Sequence, residues 1–436
     1  MKERSERYTQ LHNTSLPCCE VAVTFERWNQ LIRAKKLEMS DFLKLEDLVK
    51  ELRIDIDKTL EPELDARQCC IYRVPKDLRS LNEEAYTPQL VSIGPLHHVK
   101  EKLANMEKTE RKYMKSFLER ITTKNRDNVL NFIKDNEKSV RNCYAVTSKL
   151  GSIEYVMMML YDAIFIIELF LRYQSNFGGS DLLLQVRRVR SSLRNDFQLL
   201  ENQLPYFILE EICELALAGL SMPTFMVLSH RFFNTSNSKL SMLTPQVAVK
   251  HLTDWRRTTI LEHYQKSEQI DRQGYYLPSA MKLHESGVKF KCFEGENSLI
   301  DIRFEKRKQR VPCFEEHELQ IPHLKLSDDI EYLLRNVMAF EQCHYPYDTQ
   351  VCNYVSLIDG LIDNEKDVEL LVENGIISNG LGNNASVANM FNKLCLFVNL
   401  GESSYCDFCE ERKRRCNNPW IITKATLKRV YFNNLW

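Results

Sequence analysis

Glycine and proline are scarce in this chain, 13 of each among 436 residues. That scarcity argues against an all-β architecture, whose many tight turns consume both, and in favour of long helices. A charge imbalance is missing too: 59 Lys and Arg face 60 Asp and Glu, for a formal net charge of -1. With no global basic field to gather counterions from a nucleic acid, the expectation is no nucleic-acid partner. The opening Met-Lys-Glu-Arg-Ser-Glu-Arg leads into no apolar stretch, so no secretory signal is expected and synthesis should finish in the cytosol. In that reducing compartment the 14 cysteines, including the adjacent pairs Cys18-Cys19 and Cys69-Cys70, read as thiols rather than a disulfide framework.

No P-loop, Gly-x-Gly-x-x-Gly, His-Glu-x-x-His or Gly-x-Ser-x-Gly occurs, so the local signatures of phosphate, dinucleotide, zinc-hydrolase and esterase chemistry are missing. A triad assembled from distant residues would leave no such trace. No uninterrupted apolar run spans a bilayer either. The longest, residues 155–171, carries Asp162 and Glu168, and a charge at mid-membrane costs roughly 2.5–3.5 kcal/mol on the most lenient scale. This stretch fits the centre of a globular core, where its two acids need Arg or backbone partners.

What the chain does have is 44% hydrophobic residues, enough for a substantial core and two lobes, much of it at helical spacing. Residues 1–42 read as a weakly ordered leader with one short helix around 21–35. Beyond them, Leu103, Met106, Tyr113, Met114, Phe117 and Ile121 mark one face of an amphipathic helix. Further helices are predicted over 129–143, 152–172, 205–217 and 245–263, the last with Thr244 as cap and Pro245 in its first turn. Exposed connections fall at 174–180, 234–241 and 267–274. Between 287 and 326 the period changes to three short β-type runs, at 288–293, 299–304 and 319–326. They predict a small antiparallel meander with the charged stretch 305–310 as its solvated turn. Helical spacing returns from Ile330 to Phe340 behind Ser327, Asp328 and Asp329, then over 351–362 and 390–398, with 375–384 as an irregular loop. The fold class read from these patterns is mainly α, with a small antiparallel β meander near 287–326.

Metal candidates are few. Cys406 and Cys409 offer a Cys-x-x-Cys bite with Cys416 beyond, and the same three positions also suit one apolar side of a helix. Cys313, His317 and His323 form a weaker group. His97 and His98 follow a Gly-Pro turn, with no carboxylate or thiol beside them in sequence, and read as structural histidines bonding to backbone. No cofactor is called for. The clearest charge pattern lies at 410–429, where Arg412, Lys413, Arg414, Arg415, Lys424, Lys428 and Arg429 outnumber Glu410 and Glu411. It is either the wet face of a last helix or a membrane-proximal basic run on anionic lipid, where each cation contributes about 1 kcal/mol.

Several stretches together resemble a plant family known as domain of unknown function 247. They are Ile71-Tyr-Arg-Val-Pro75, Glu84-Ala-Tyr-Thr-Pro88, Val91-Ser-Ile-Gly-Pro-Leu-His-His98, Phe165-Ile-Ile-Glu-Leu-Phe170 and Leu199-Leu-Glu-Asn-Gln-Leu-Pro205. Gly287-Val-Lys-Phe290, Ala339-Phe-Glu-Gln-Cys-His344, Phe391-Asn-Lys-Leu394 and Ala425-Thr-Leu-Lys-Arg-Val-Tyr-Phe-Asn433 extend the match. The resemblance implies a body over 43–433 followed by a transmembrane helix, and here 434–436 stand where that helix would begin. It further implies a large domain at the cytosolic face of a membrane, the plasma membrane being the expected one. The basic run before the span agrees with the positive-inside rule. No catalytic residues come with the family. Some of its grass members resemble pollen-side determinants of self-incompatibility, which implies recognition of protein partners. The expected function is therefore that of a membrane-associated, non-enzymatic interaction protein. An enzyme with a pocket near His97, His98, Asp162 or Glu168, and a zinc-stabilised module, stand as alternatives.

Overall fold

In the computed structural model the chain divides into two units, Met1–Glu63 and Leu64–Trp436. The structure describes residues 65, 67–98, 104–175, 181–233, 248–262, 264, 277–293, 298–308, 315–401 and positions 405, 419 and 423, all in the second unit. The expected leader 1–42, the Cys406/Cys409/Cys416 group, and Arg412, Lys413, Arg414, Arg415, Lys424, Lys428 and Arg429 lie outside the described residues, as does most of the three predicted connections.

Fourteen α-helices stand among the described residues, with five short strands. The first eight are α1 (Lys76–Leu81), α2 (Ala104–Arg120), α3 (Thr123–Asn142), α4 (Ser152–Gln174), α5 (Leu182–Gln185), α6 (Arg187–Phe197), α7 (Tyr206–Leu217) and α8 (Phe225–Phe233). A 3-10 turn, Glu83–Tyr86, follows α1. The rest are α9 (Leu252–Leu261), α10 (Ala280–Glu285), α11 (Asp328–His344), α12 (Gln350–Leu361), α13 (Glu365–Glu373) and α14 (Asn384–Leu394). The strands are β1 (Val288–Phe293), β2 (Arg303–Lys308), β3 (Glu315–Pro322), β4 (Leu324–Leu326) and β5 (Ile377–Asn379). The mainly α class with a small sheet is therefore observed.

Helix α4 is the hub of a first hydrophobic core. Its face from Tyr155 to Leu171 is buried against α2, α3, α7 and α8, and Phe170 stacks on Phe232 with ring centroids 4.4 Å apart. A helix apolar on nearly every side is stable in water only when surrounded, which is how this one sits. Its two acids have the partners their burial demands. Glu168 receives Arg120 at 3.0 Å and Arg172 at 2.8 Å, while Asp162 accepts the Gly94 N–H at 2.7 Å. Arg172 continues to Asp181 at 2.8 Å and lies over the Tyr113 ring, so the charges are tied into one chain of contacts. Among the described residues no helix is long and apolar enough to cross a membrane.

A second core gathers the end of α9, α10, the sheets and α11 to α14. Here the predicted meander requires correction, because the three-stranded sheet has the order β1-β3-β2, with β1 parallel and β2 antiparallel to β3. Strand β3 carries Leu319 and Ile321 into the core and takes the centre, where both edges are paired. Strand β2 takes the edge of the sheet. The stretch 305–308 is thus strand rather than turn, with Arg307 in register with Glu316 and Lys308 with Glu315. The run predicted at 319–326 is also broken: β4 leaves the first sheet and pairs in parallel with β5, inside the segment expected to be an irregular loop.

Helix starts follow local chemistry in part: Ser327, expected to cap α11, makes no side-chain capping hydrogen bond, although Asp328 and Asp329 do stand in the first turn. Thr122 caps α3 and Asn383 caps α14 through their side chains. The predicted cap Thr244 and first-turn Pro245 lie outside the described residues; α9 itself begins at Leu252, capped by His251, whose ring accepts the Asp254 N–H. The cause is tertiary: Lys250 holds its carbonyl out to the Tyr206 N–H at 2.8 Å and its own N–H to Asp254 at 2.9 Å. A residue so engaged cannot continue a helix through its main chain.

Candidate functional site

A third, smaller apolar cluster joins Val74, Leu78, Ala85, Tyr86, Leu200, Ala339 and Phe340. It forms where segments far apart in sequence meet: the extended stretch 69–75, the turn at 91–98, the link 198–205 between α6 and α7, and α11. Around it lies a network of buried polar groups.

Glu201 is its centre. One carboxylate oxygen accepts the Val74 N–H at 2.7 Å and a short hydrogen bond from Arg79. The other faces His97 Nε2 at 3.1 Å and Arg73 at 3.4 Å. Both His97 and Glu201 are buried, while Arg73 reaches the surface. Burial acts to raise the Glu201 carboxyl, but the His97 and Arg79 hydrogen bonds and the Val74 amide outweigh it and hold it below the usual range. The expectation that His97 is a structural histidine bonded to backbone in its own turn is corrected here, since its carboxylate partner comes from 104 residues along the chain, on another element. His98, beside it, is exposed.

Five residues before Glu201, Asp196 uses a different solution. It accepts three successive backbone N–H groups, Gln89 at 2.9 Å, Leu90 at 2.7 Å and Val91 at 2.8 Å. Burial with no cation beside it pushes its carboxyl up to about 6, the three amides limiting the rise. Asn202 accepts the Ile93 N–H at 2.7 Å and donates to Val91 and Asp196 carbonyls. Gln203 donates to the Phe197 and Leu199 carbonyls, and Asn336 of α11 joins Leu200 N–H to the Ala85 carbonyl. Gly94 is the one residue type that fits its place: φ is 72° and an added Cβ would stand 2.5 Å from the Gln203 oxygen.

On its other flank the stretch 69–75 presents Tyr72, whose hydroxyl meets His344 Nδ1 at 2.9 Å. Burial lowers His344 to about 4 and His251, bonded to the Cys70 carbonyl, to about 3, so both rings are neutral at pH 7. Glu341, one turn before Tyr345, accepts Arg257 at 2.8 Å and the Val351 and Cys352 amides. Every one of these groups therefore has a defined partner, and most of those partners are main-chain atoms. Such an arrangement fixes how segments meet, and an imidazole held by a carboxylate is also the pairing that orients a general base.

Of the other sequence candidates, Asp162 touches this place through the Gly94 N–H at 2.7 Å, while Glu168 and His323 bond to other segments. Asp162 is buried and raised well above its ordinary value by burial and Glu110, and Glu168 pairs with its two arginines. His323 bonds the Gly375 carbonyl and the Ser378 hydroxyl, His317 sits buried in β3, and Cys313 lies outside the described residues. Among the described residues no three His, Cys, Asp or Glu side chains are placed to hold a metal. What sequence reading missed was Glu201 with Arg73 and Arg79. The available signal was a polar triplet, Glu201 to Gln203, enclosed by Leu199, Leu200 and Leu204.

The chain is 29% identical over 402 residues to UPF0481 protein At3g47200 of Arabidopsis thaliana, covering 84% of this chain and 81% of that protein. It is 22% identical to Putative UPF0481 protein At3g02645 of Arabidopsis thaliana, covering 88% of this chain and 90% of the relative. No solved structure matches. The model of the family DUF247, described as plant protein of unknown function, matches residues 71–436, beginning at the stretch that meets Glu201. The chain belongs to that plant family.

Proposed function

We propose that this protein is a non-enzymatic recognition protein working at the cytosolic face of a membrane, the plasma membrane by expectation. In this reading its helical body meets a protein partner while Arg412, Lys413, Arg414, Arg415, Lys424, Lys428 and Arg429 lie against anionic lipid. The observation that carries the reading is how the buried titratable groups are engaged. Glu201, Asp196, Asp162, Glu168 and Glu341 are each tied to arginines or backbone amides that hold distant segments together. A body built in that way presents a fixed surface, as recognition requires. The basic run adds attraction of about 1 kcal/mol per cation near an anionic surface, enough for reversible attachment.

Vesicle flotation tests the membrane half. The full chain should float with vesicles containing phosphatidylserine, release as salt is raised, and ignore pure phosphatidylcholine. Replacing Arg412, Lys413, Arg414 and Arg415 together by Glu should abolish flotation. Equal flotation of that variant, or none by the parent, counts against the reading.

One observation favours an enzyme as the second reading, the His97 to Glu201 contact at 3.1 Å. An oriented imidazole beside a half-exposed Arg73 has the parts of an acid–base site. It requires a turnover lost in His97→Asn at unchanged stability. A zinc-stabilised module built on Cys406, Cys409 and Cys416 requires stoichiometric zinc in the purified chain.

A further inference from the structure

The stretch that carries Tyr72, Arg73 and Val74 to the polar network is anchored at its start by an unusual neighbour. Cys70 N–H and Ile71 N–H both donate to the Cys143 carbonyl, at 2.9 and 2.8 Å, and Ala145 N–H returns to the Ile71 carbonyl at 2.9 Å. Ile71 and Tyr144 thereby form an isolated parallel bridge. Standard bond lengths on either side of that Cys70 hydrogen bond cap the Cα separation of Cys70 and Cys143 at about 6.8 Å, within the range disulfides span. The side chains interact as well: the pairing acts to lower the Cys143 thiol and to raise that of Cys70, and the Cys143 thiol donates to the Ser139 carbonyl at 3.3 Å. Both thiols are free and buried.

We propose that Cys70 and Cys143 are a reversible oxidation site, closing to a disulfide under peroxide and so locking the 69–75 stretch to the end of α3. In the first step the Cys143 thiolate attacks one peroxide oxygen. The S–O bond forms, the O–O bond breaks, and water leaves once the departing hydroxide takes the proton that Cys143 gave up. In the second step Cys70 sulfur attacks the resulting sulfenic sulfur of Cys143. The S–S bond forms, the S–O bond breaks, and the Cys70 proton leaves with the hydroxyl as a second water. Two thiols are oxidised and one peroxide is reduced to two waters. The pairing with Cys70 holds the Cys143 thiol below its ordinary range against the effect of burial, which names Cys143 as the first nucleophile. Cys69, raised by burial, and Cys343, likewise raised to about 11, are the less reactive neighbours.

The test uses the full chain, treated with hydrogen peroxide, then alkylated and digested without reductant. Expected is one cross-linked peptide pair joining Cys70 to Cys143, lighter by two hydrogens than its separate parts and resolved by dithiothreitol. The oxidised chain should also melt a few degrees above the reduced one. Cys69→Ser should keep the cross-link and Cys143→Ser should lose it, with wild-type peptide mapping deciding should the latter variant fail to fold. Recovery of Cys70 and Cys143 as separately alkylated or singly over-oxidised peptides would overturn the proposal. So would a cross-link from Cys70 to Cys69, or between chains.

Discussion

The first hydrophobic core and the polar network at Glu201 hold the molecule together by different means. Around α4 the contacts are aromatic and aliphatic, and Phe170 alone meets Phe197, Phe225, Phe232 and Phe233. Such contacts are non-directional, so a substitution that conserves volume loses little. At Glu201 the contacts are single hydrogen bonds from named atoms, and a change of one atom leaves a buried group without its partner. The comparison teaches that packing makes the two large cores, whereas direction fixes how the intervening segments are seated between them.

Breaking the network at its centre has the largest expected effect. Glu201→Ala removes a carboxylate from beneath Arg79, Arg73 and the Val74 amide, and should cost about 3–5 kcal/mol in urea unfolding. Asn336→Leu, which keeps the branching and heavy-atom count of the native side chain, orphans the Leu200 amide and the Ala85 carbonyl, each worth about 1–3 kcal/mol. Gly94→Ala should cost more than about 1 kcal/mol, through its positive φ and the clash with the Gln203 oxygen. In the core, Ile166→Val removes one methylene from a fully buried side chain and should cost only about 0.5–1.5 kcal/mol by the same measurement. The comparison fails if the core and network substitutions cost the same.

Acid sharpens it further. Glu201 has a depressed folded pKa, so its stabilisation is full above the unfolded carboxyl value and is lost as pH falls through the folded one. Asp196, raised to about 6, works in the opposite sense: the folded state holds its proton more tightly, so its term disfavours folding above pH 6 and relaxes on acidification toward 4. Glu201→Gln should therefore flatten the acid limb of stability below the unfolded carboxyl pKa, while Asp196→Asn should change the slope between pH 4 and 6. Urea midpoints across pH read both.

Much of the helical frame was legible because a buried helix writes its period into consecutive residues. The span 155–171, with acids needing partners, became α4 with Glu168 on two arginines and Asp162 on a backbone amide. Helix α6 escaped notice although Val189, Leu193 and Phe197 recur every four residues, because four arginines dilute the pattern. The sheet order was not legible, since a parallel pairing of β1 with β3 leaves no local turn signal. The network was invisible for the same reason: Val74 and Glu201 are 127 residues apart, and nothing in either segment names the other. Each end of those contacts was nonetheless recognisable as a stretch shared with the plant family.

The most direct test of the account is hydrogen exchange of the amides that Asp196, Glu201, Asn202 and Asn336 accept: Leu90, Val91, Val74, Ile93 and Leu200. These lie in non-helical segments, yet they should exchange as slowly as the amides of α4, opening only with global unfolding. Exchange at the rate of exposed turns would contradict the claim that these side chains seat the segments between the cores.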